Sequence, residues 1–212
     1  MGRNSMRLSV GRQSILLAIL LLLIDQIVKI LVKTNMCLGE YIRVTDWCYI
    51  HFVENNGMAY GMTFLNKLFL SSLRIVVVCL LVYYIFRLIQ RQASRTYILL
   101  LSAIVAGAAG NIIDSIFYGL IFTESTVNNV AAFTHFGSGY APCLMGRVVD
   151  MFYFPLFHFT WPDWMPMVGG EDHIFFSPIF NFADACISVS VVLLFIFCRK
   201  DLSSTNNDKQ KS

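Results

Sequence analysis

The sequence predicts an all-α membrane protein. It has four transmembrane helices, a small β-rich extracytoplasmic segment and a long aromatic-rich extracytoplasmic insertion. Three observations predict this class. Of 212 residues, 57% are hydrophobic and only 14% charged, against roughly 25% charged in soluble domains. The mean hydropathy is +0.64, and a soluble core of this size could not hide so much apolar surface. Four apolar runs, 14–32, 68–89, 97–122 and 179–198, each reach about the 20 residues that cross a hydrocarbon core.

The first run carries Asp25 and Lys29 inside its apolar stretch, with no Ala-x-Ala-like site after it. It therefore reads as a retained span rather than a cleaved leader. Four spans put both termini on one side, and basic residues choose the side. Arg3, Arg7 and Arg12 precede the first span, Arg87, Arg91 and Arg95 occupy the turn between the second and third, and Arg199, Lys200, Lys209 and Lys211 follow the fourth. Both termini and that turn are expected in the cytoplasm. Residues 1–202 read as one membrane-embedded domain, and 203–212 as a polar cytoplasmic tail.

Two segments lie outside. Residues 36–67 hold strand-like pieces at 41–44 and 48–54 beside the turn signals Gly57 and Gly61. Residues 123–178 are dense in Phe and Tyr, which suits a segment lying against the membrane surface. Within it, Phe133, Phe136 and Tyr140 alternate with Gly137 and Gly139, the pattern of a mobile flap.

Charged residues within a span cost about 2.5–3.5 kcal/mol each, so they point to function. At 1.5 Å per residue, Asp25, Asp114 and Asp184 lie about 10, 12 and 8 Å below the outer ends of their helices. Three spans thus bring carboxylates to one depth, in the outer leaflet. Asp25 and Lys29 are spaced i, i+4; Asn111 and Asp114, like Asn181 and Asp184, are spaced i, i+3. Gly107, Ala108, Ala109 and Gly110 form a small-residue patch that permits close helix approach. On these grounds alone, Asp25 with Lys29 reads equally as a packing pair, and Asn111 with Asp114 as interhelical hydrogen bonding. Asp150 opens an aromatic apolar run and, taken alone, reads as a surface acid.

Other chemistries lack their patterns. His51, His135, His158 and His173 form no HxxxH or HExxH, and the six cysteines form no CxxC. No metal or cofactor is expected. No Ser sits in GxSxG surroundings. With a net charge of +3 and no basic stripe, no nucleic-acid partner is expected.

Five ordered motifs match something specific: DQIVK (Asp25–Lys29), ENNGMAYGM (54–62), GAAGNIID (107–114), RVVDMF (147–152) and FNFADACI (180–187). Together they resemble the lipoprotein signal peptidases, or signal peptidase II, over about residues 15–198. The resemblance implies a monomeric aspartic endopeptidase of the bacterial cytoplasmic membrane, acting within the lipid. Its substrate would be a diacylglyceryl-modified prolipoprotein, cut just before the lipidated cysteine. It implies Asp150 and Asp184 as the catalytic pair, with Asp25, Lys29, Asn55, Asn111, Asp114 and Asn181 in support. GNxxD is usually followed by Arg in that family, whereas Ser115 stands here and 115–146 separates GNxxD from VVD. Arg147 is the candidate for the missing positive charge. The runner-up reading is a proton- or ion-coupled transporter, against which the polar residues gather at one leaflet. A third is a lipid-modifying enzyme using the carboxylates to hold a metal.

Overall fold

The structure is a computed structural model that describes residues 9–56, 64–199 and 201. The turn signals Gly57 and Gly61, the basic residues Arg3, Arg7 and Lys200, and the tail 203–212 lie outside the described residues.

Helix α1 (Val10–Asn35) begins where the Ser9 side chain accepts from the Arg12 N–H and ends as Met36 turns extended. Its buried residues are Ser14, Asp25, Lys29, Val32 and Lys33, whereas Ile15, Leu16, Ile19, Leu20 and Leu23 are exposed. Apolar outside and polar inside is the arrangement that suits lipid rather than water. Helix α2 (Phe64–Gln90) and helix α3 (Arg95–Ile113), capped by Ser94, are joined by the tight turn that holds Arg91. After α3 the chain makes a π-helical turn, Asp114–Tyr118, before the short α4 (Gly119–Ile121). Among the described residues, three segments are long and apolar enough to cross a membrane: Val10–Asn35, Lys67–Gln90 and Arg95–Ile121.

The fourth run departs from expectation. Ile179–Phe180 is a strand, and the helix α5 that follows spans only Phe182–Phe197. Asn181, held extended at φ −115° and ψ 178°, stops the helix from starting earlier and caps it instead. The same stretch therefore serves the sheet first and the bundle second.

The expected strand pieces at 41–44 and 48–54 are the first two strands of a small sheet. A four-stranded antiparallel sheet runs in the order β1 (Tyr41–Thr45), β2 (Cys48–Asn55), β3 (Val148–Tyr153), β6 (Ile179–Phe180). A separate hairpin pairs β4 (Phe157–Thr160) with β5 (Asp172–Phe175). Strand β3 is buried over Val148–Met151; both faces are covered, so apart from Asp150 its residues are apolar or aromatic and no alternation marks it as a strand. Phe52, Val149, Met151, Tyr118 and Phe122 pack with Val32 and Met36 to weld sheet, π-turn and α1 together.

Segment 122–146, expected to include a mobile flap, is laced to the π-helical turn and α4. The N–H groups of Thr134, Gly137, Ala141 and Gly146 donate at 2.8–3.0 Å to the carbonyls of Ile121, Leu120, Gly119 and Ser115. Glycine there permits contact rather than motion: a Cβ on Gly139 would lie 2.1 Å from the Gly119 oxygen.

Candidate active site

Asp150 sits on β3 opposite Val53 of β2. Asn55 pairs with Val148, two residues away on the same face, and from there its Nδ2 donates to Asp150 Oδ2 at 3.1 Å. The other oxygen, Oδ1, accepts from Asn181 Nδ2 at 2.6 Å. Asn181 caps α5, accepting from the Asp184 N–H at 2.9 Å, while the Asp184 carboxylate reaches back to the Asn181 N–H at 3.4 Å. This capping box places Asp184 in the first helical turn. Asn111 of α3 then joins the halves: its Nδ2 donates to Asp184 Oδ1 at 2.8 Å, and its Oδ1 accepts from Asn181 Nδ2 at 3.1 Å. Two asparagines thus connect two carboxyls from different elements.

A charged layer lies beneath. Lys29, with its side chain fully buried, reaches Asp114 at 2.8 Å, Asp25 at 3.0 Å and Asn111 Oδ1 at 2.8 Å. Asp25 accepts from the Ala183 N–H at 3.0 Å, which holds the start of α5. Asp114 accepts from the Val149 N–H at 3.3 Å, which holds β3 beside Asp150. Gln26 bridges the two acids at 3.1 and 2.9 Å and accepts from the Tyr118 hydroxyl. Gly110 has no room for a side chain, since its Cβ would lie 2.4 Å from Asp25 Oδ2.

Asp150 is buried, and this raises its carboxyl pKa first of all; the charge of Asp184 raises it further. The amides of Asn55 and Asn181 pull the other way, and the net result is about 6. Asp184 is therefore near enough to sense, as the shared asparagines imply. Among the described residues no three His, Cys, Asp or Glu side chains gather as metal ligands would.

A profile of signal peptidase II matches residues 17–199. The chain belongs to the signal peptidase II family. It is an aspartic peptidase by that membership and a multi-pass membrane protein. The lipoprotein signal peptidase of Porphyromonas gingivalis is 48% identical over 191 residues, covering 90% of this chain and 84% of that protein. That of Amoebophilus asiaticus is 33% identical, covering 84% and 74%. A solved bacterial membrane enzyme, determined by the in meso method at 1.9 Å, superposes with a TM-score of 0.61 at 26% identity, covering 89% and 94%. The transporter reading finds no support in these likenesses.

Of the residues singled out in this signal peptidase II sequence, Asp25, Lys29, Asn55, Asn111, Asp114, Asp150, Asn181 and Asp184 converge. Arg147 does not. It pairs with Glu54 at 3.0 Å and Glu124 at 2.9 Å rather than with Asp114, because Lys29 already occupies that carboxylate. Sequence reasoning also passed over Gln26, which lies inside the DQIVK motif, and the buried pair Lys33–Glu54. The i, i+4 step from Lys29 to Lys33 was the available signal.

Proposed function

We propose that Asp150 and Asp184 are the catalytic pair of a peptidase that removes signal peptides from diacylglyceryl-modified prolipoproteins, cutting before the lipidated cysteine. The observation that carries this reading is the Asp150–Asn181–Asn111–Asp184 chain of hydrogen bonds, in which the burial and charge coupling of Asp150 favour one shared proton. A buried carboxyl with a second, half-buried one close by resists double ionisation, so the pair holds that proton as a unit. The ionised member accepts a proton from water as the water attacks the peptide carbonyl. The protonated member donates to the developing oxyanion or the leaving amine. Asn55 and Asn181 orient Asp150, Asn111 orients Asp184, and Lys29 neutralises the acids below.

Membership of the lipoprotein signal peptidase family supports the substrate. The Arg clusters support cytoplasmic termini in the bacterial inner membrane, with the site at the outer leaflet and one domain over residues 1–202. There the lipid on the substrate cysteine stays in the bilayer while the peptide enters the site, and a single copy supplies both acids. The purified protein should cleave a diacylglyceryl lipobox peptide and ignore its unlipidated twin. Equal cleavage of the two would remove the lipid from the substrate definition.

A further inference from the structure

A second buried ionic cluster lies on the reverse face of the strand pair that carries Asn55 and Asp150. Lys33 Nζ bonds Glu54 Oε1 and also reaches Ser125 Oγ at 2.9 Å. Ser125 donates to Glu54 at 2.8 Å. Arg147 spans Glu54 and Glu124, and its backbone N–H donates to the Tyr140 hydroxyl at 2.6 Å. The Tyr140 ring takes Lys33 on its face at 5.0 Å and the Arg147 guanidinium at 5.1 Å. The Lys33 and Glu54 side chains are 0% and 2% exposed. Burial works against the Glu54 carboxylate, but the Lys33 charge and the bonds from Lys33, Ser125 and Arg147 more than offset it and lower its pKa.

Stability is a poor reason for such a cluster, since buried ion pairs replaced by apolar residues often leave a fold as stable or more so. Position offers a better one. Strand β2 pairs Ile50 with Phe152, then Val53 with Asp150, so its register shifts between Ile50 and Val53, where two residues face Met151 alone. Beyond that bulge Asn55 must face Asp150, and a slip of one residue would turn it to the other side. Glu54 precedes Asn55 and projects from the opposite face; Arg147 precedes Val148, the pairing partner of Asn55. The Glu54–Arg147 pair therefore crosses between the strands just past the bulge. Lys33 ties that crossing to α1, one turn from the Lys29 that holds Asp25 and Asp114.

We propose that Lys33, Glu54 and Arg147 are positioning residues that pin the register of β2 on β3, so that Asn55 meets Asp150. Segment 123–146 is the strap that completes this clamp through Glu124, Ser125 and Tyr140. The inference rests on the reading of Asp150 as catalytic and gives the insertion a task in that same site.

The test compares three variants with the parent on a lipidated prolipoprotein in detergent: the double variant Lys33→Met/Glu54→Leu, the charge-preserving Arg147→Lys, and Asp150→Asn. The double variant removes both buried charges, so its melting temperature should stay within a few degrees. Its kcat should fall about ten- to a hundredfold, the scale set by a misplaced catalytic group, with KM unchanged. The alkaline limb of its pH–rate profile should move up, because Asp150 loses the Asn55 bond that favours its ionised form. Arg147→Lys should move kcat and the limb in the same directions by less. Parent-like kcat and pH profile in a folded double variant would overturn the clamp; so would an unmoved limb in Arg147→Lys if the double variant does not fold. Turnover in Asp150→Asn would instead overturn the catalytic assignment.

Discussion

At the scale of single residues, two carboxyls and the amides around them carry the chemistry. Asp150→Asn and Asp184→Asn should each lower turnover about a thousandfold or more, and the double variant should be little worse, since members of one unit are strongly non-additive. Both should keep their melting temperature, because a neutral amide is easier to bury than a carboxylate. Near-normal cleavage in either would end the aspartic mechanism. The pH dependence has a definite sign. With the Asp150 carboxyl pushed up to about 6 by burial and by Asp184, the shared proton leaves as pH rises through that region, and kcat/KM should fall on the alkaline side. Asn55 stabilises the ionised form, so Asn55→Ala should move that limb to higher pH; a limb that stays or falls would contradict the role given to Asn55. At this scale the sequence was highly legible. Asp25 with Lys29, Asn111 with Asp114 and Asn181 with Asp184 are neighbours at i, i+4 or i, i+3, a rule that needs no tertiary information. Asn55 and Asp150, by contrast, lie on strands, and only the motif resemblance singled them out. The partners of Arg147 were not legible for the opposite reason: Glu54 and Glu124 lie 93 and 23 residues away in the chain.

Among the elements, close contact between α3 and α5 sets the depth of the site. A Cβ on Gly107 would lie 2.5 Å from the Ala183 carbonyl oxygen and 2.8 Å from Ile187. Gly107→Ala should therefore push the start of α5 from α3, costing about 1–3 kcal/mol by overpacking. Thermal melting and cleavage should fall together; an unchanged melting temperature would show that the helices yield freely. The Gly-Ala-Ala-Gly patch announced this close approach, and the four apolar runs announced the helices. Strand β3 was not announced, because a strand buried on both faces shows no alternation and reads as any short apolar run. The start of α5 was misplaced for a related reason. Ile179 and Phe180 are as apolar as the helix after them, and only their pairing with Tyr153 and Phe152 makes them strand.

On the scale of the whole molecule, topology is the prediction that the charge pattern makes. Arg87, Arg91 and Arg95 flank Ser94, so a cysteine placed at Ser94 should resist a membrane-impermeant thiol reagent in intact cells and react once the membrane is opened. Labelling from outside would reverse the orientation and move the site to the other leaflet. The amino-acid sequence by itself determined that this is a membrane protein, roughly where its spans run and that Asp25, Asp114 and Asp184 lie at one depth. Those facts follow from local periodicity, and from the cost of placing charge in lipid. Only the tertiary structure decided that Asp150 lies on a strand, that Asn181 and Asn111 join it to Asp184, and that the aromatic insertion is laced down rather than free. Such facts depend on hydrogen bonds between residues far apart in the chain, such as the 95 positions from Asn55 to Asp150. Backbone donors and acceptors are the same in every residue, so side-chain patterning does not say where they will pair.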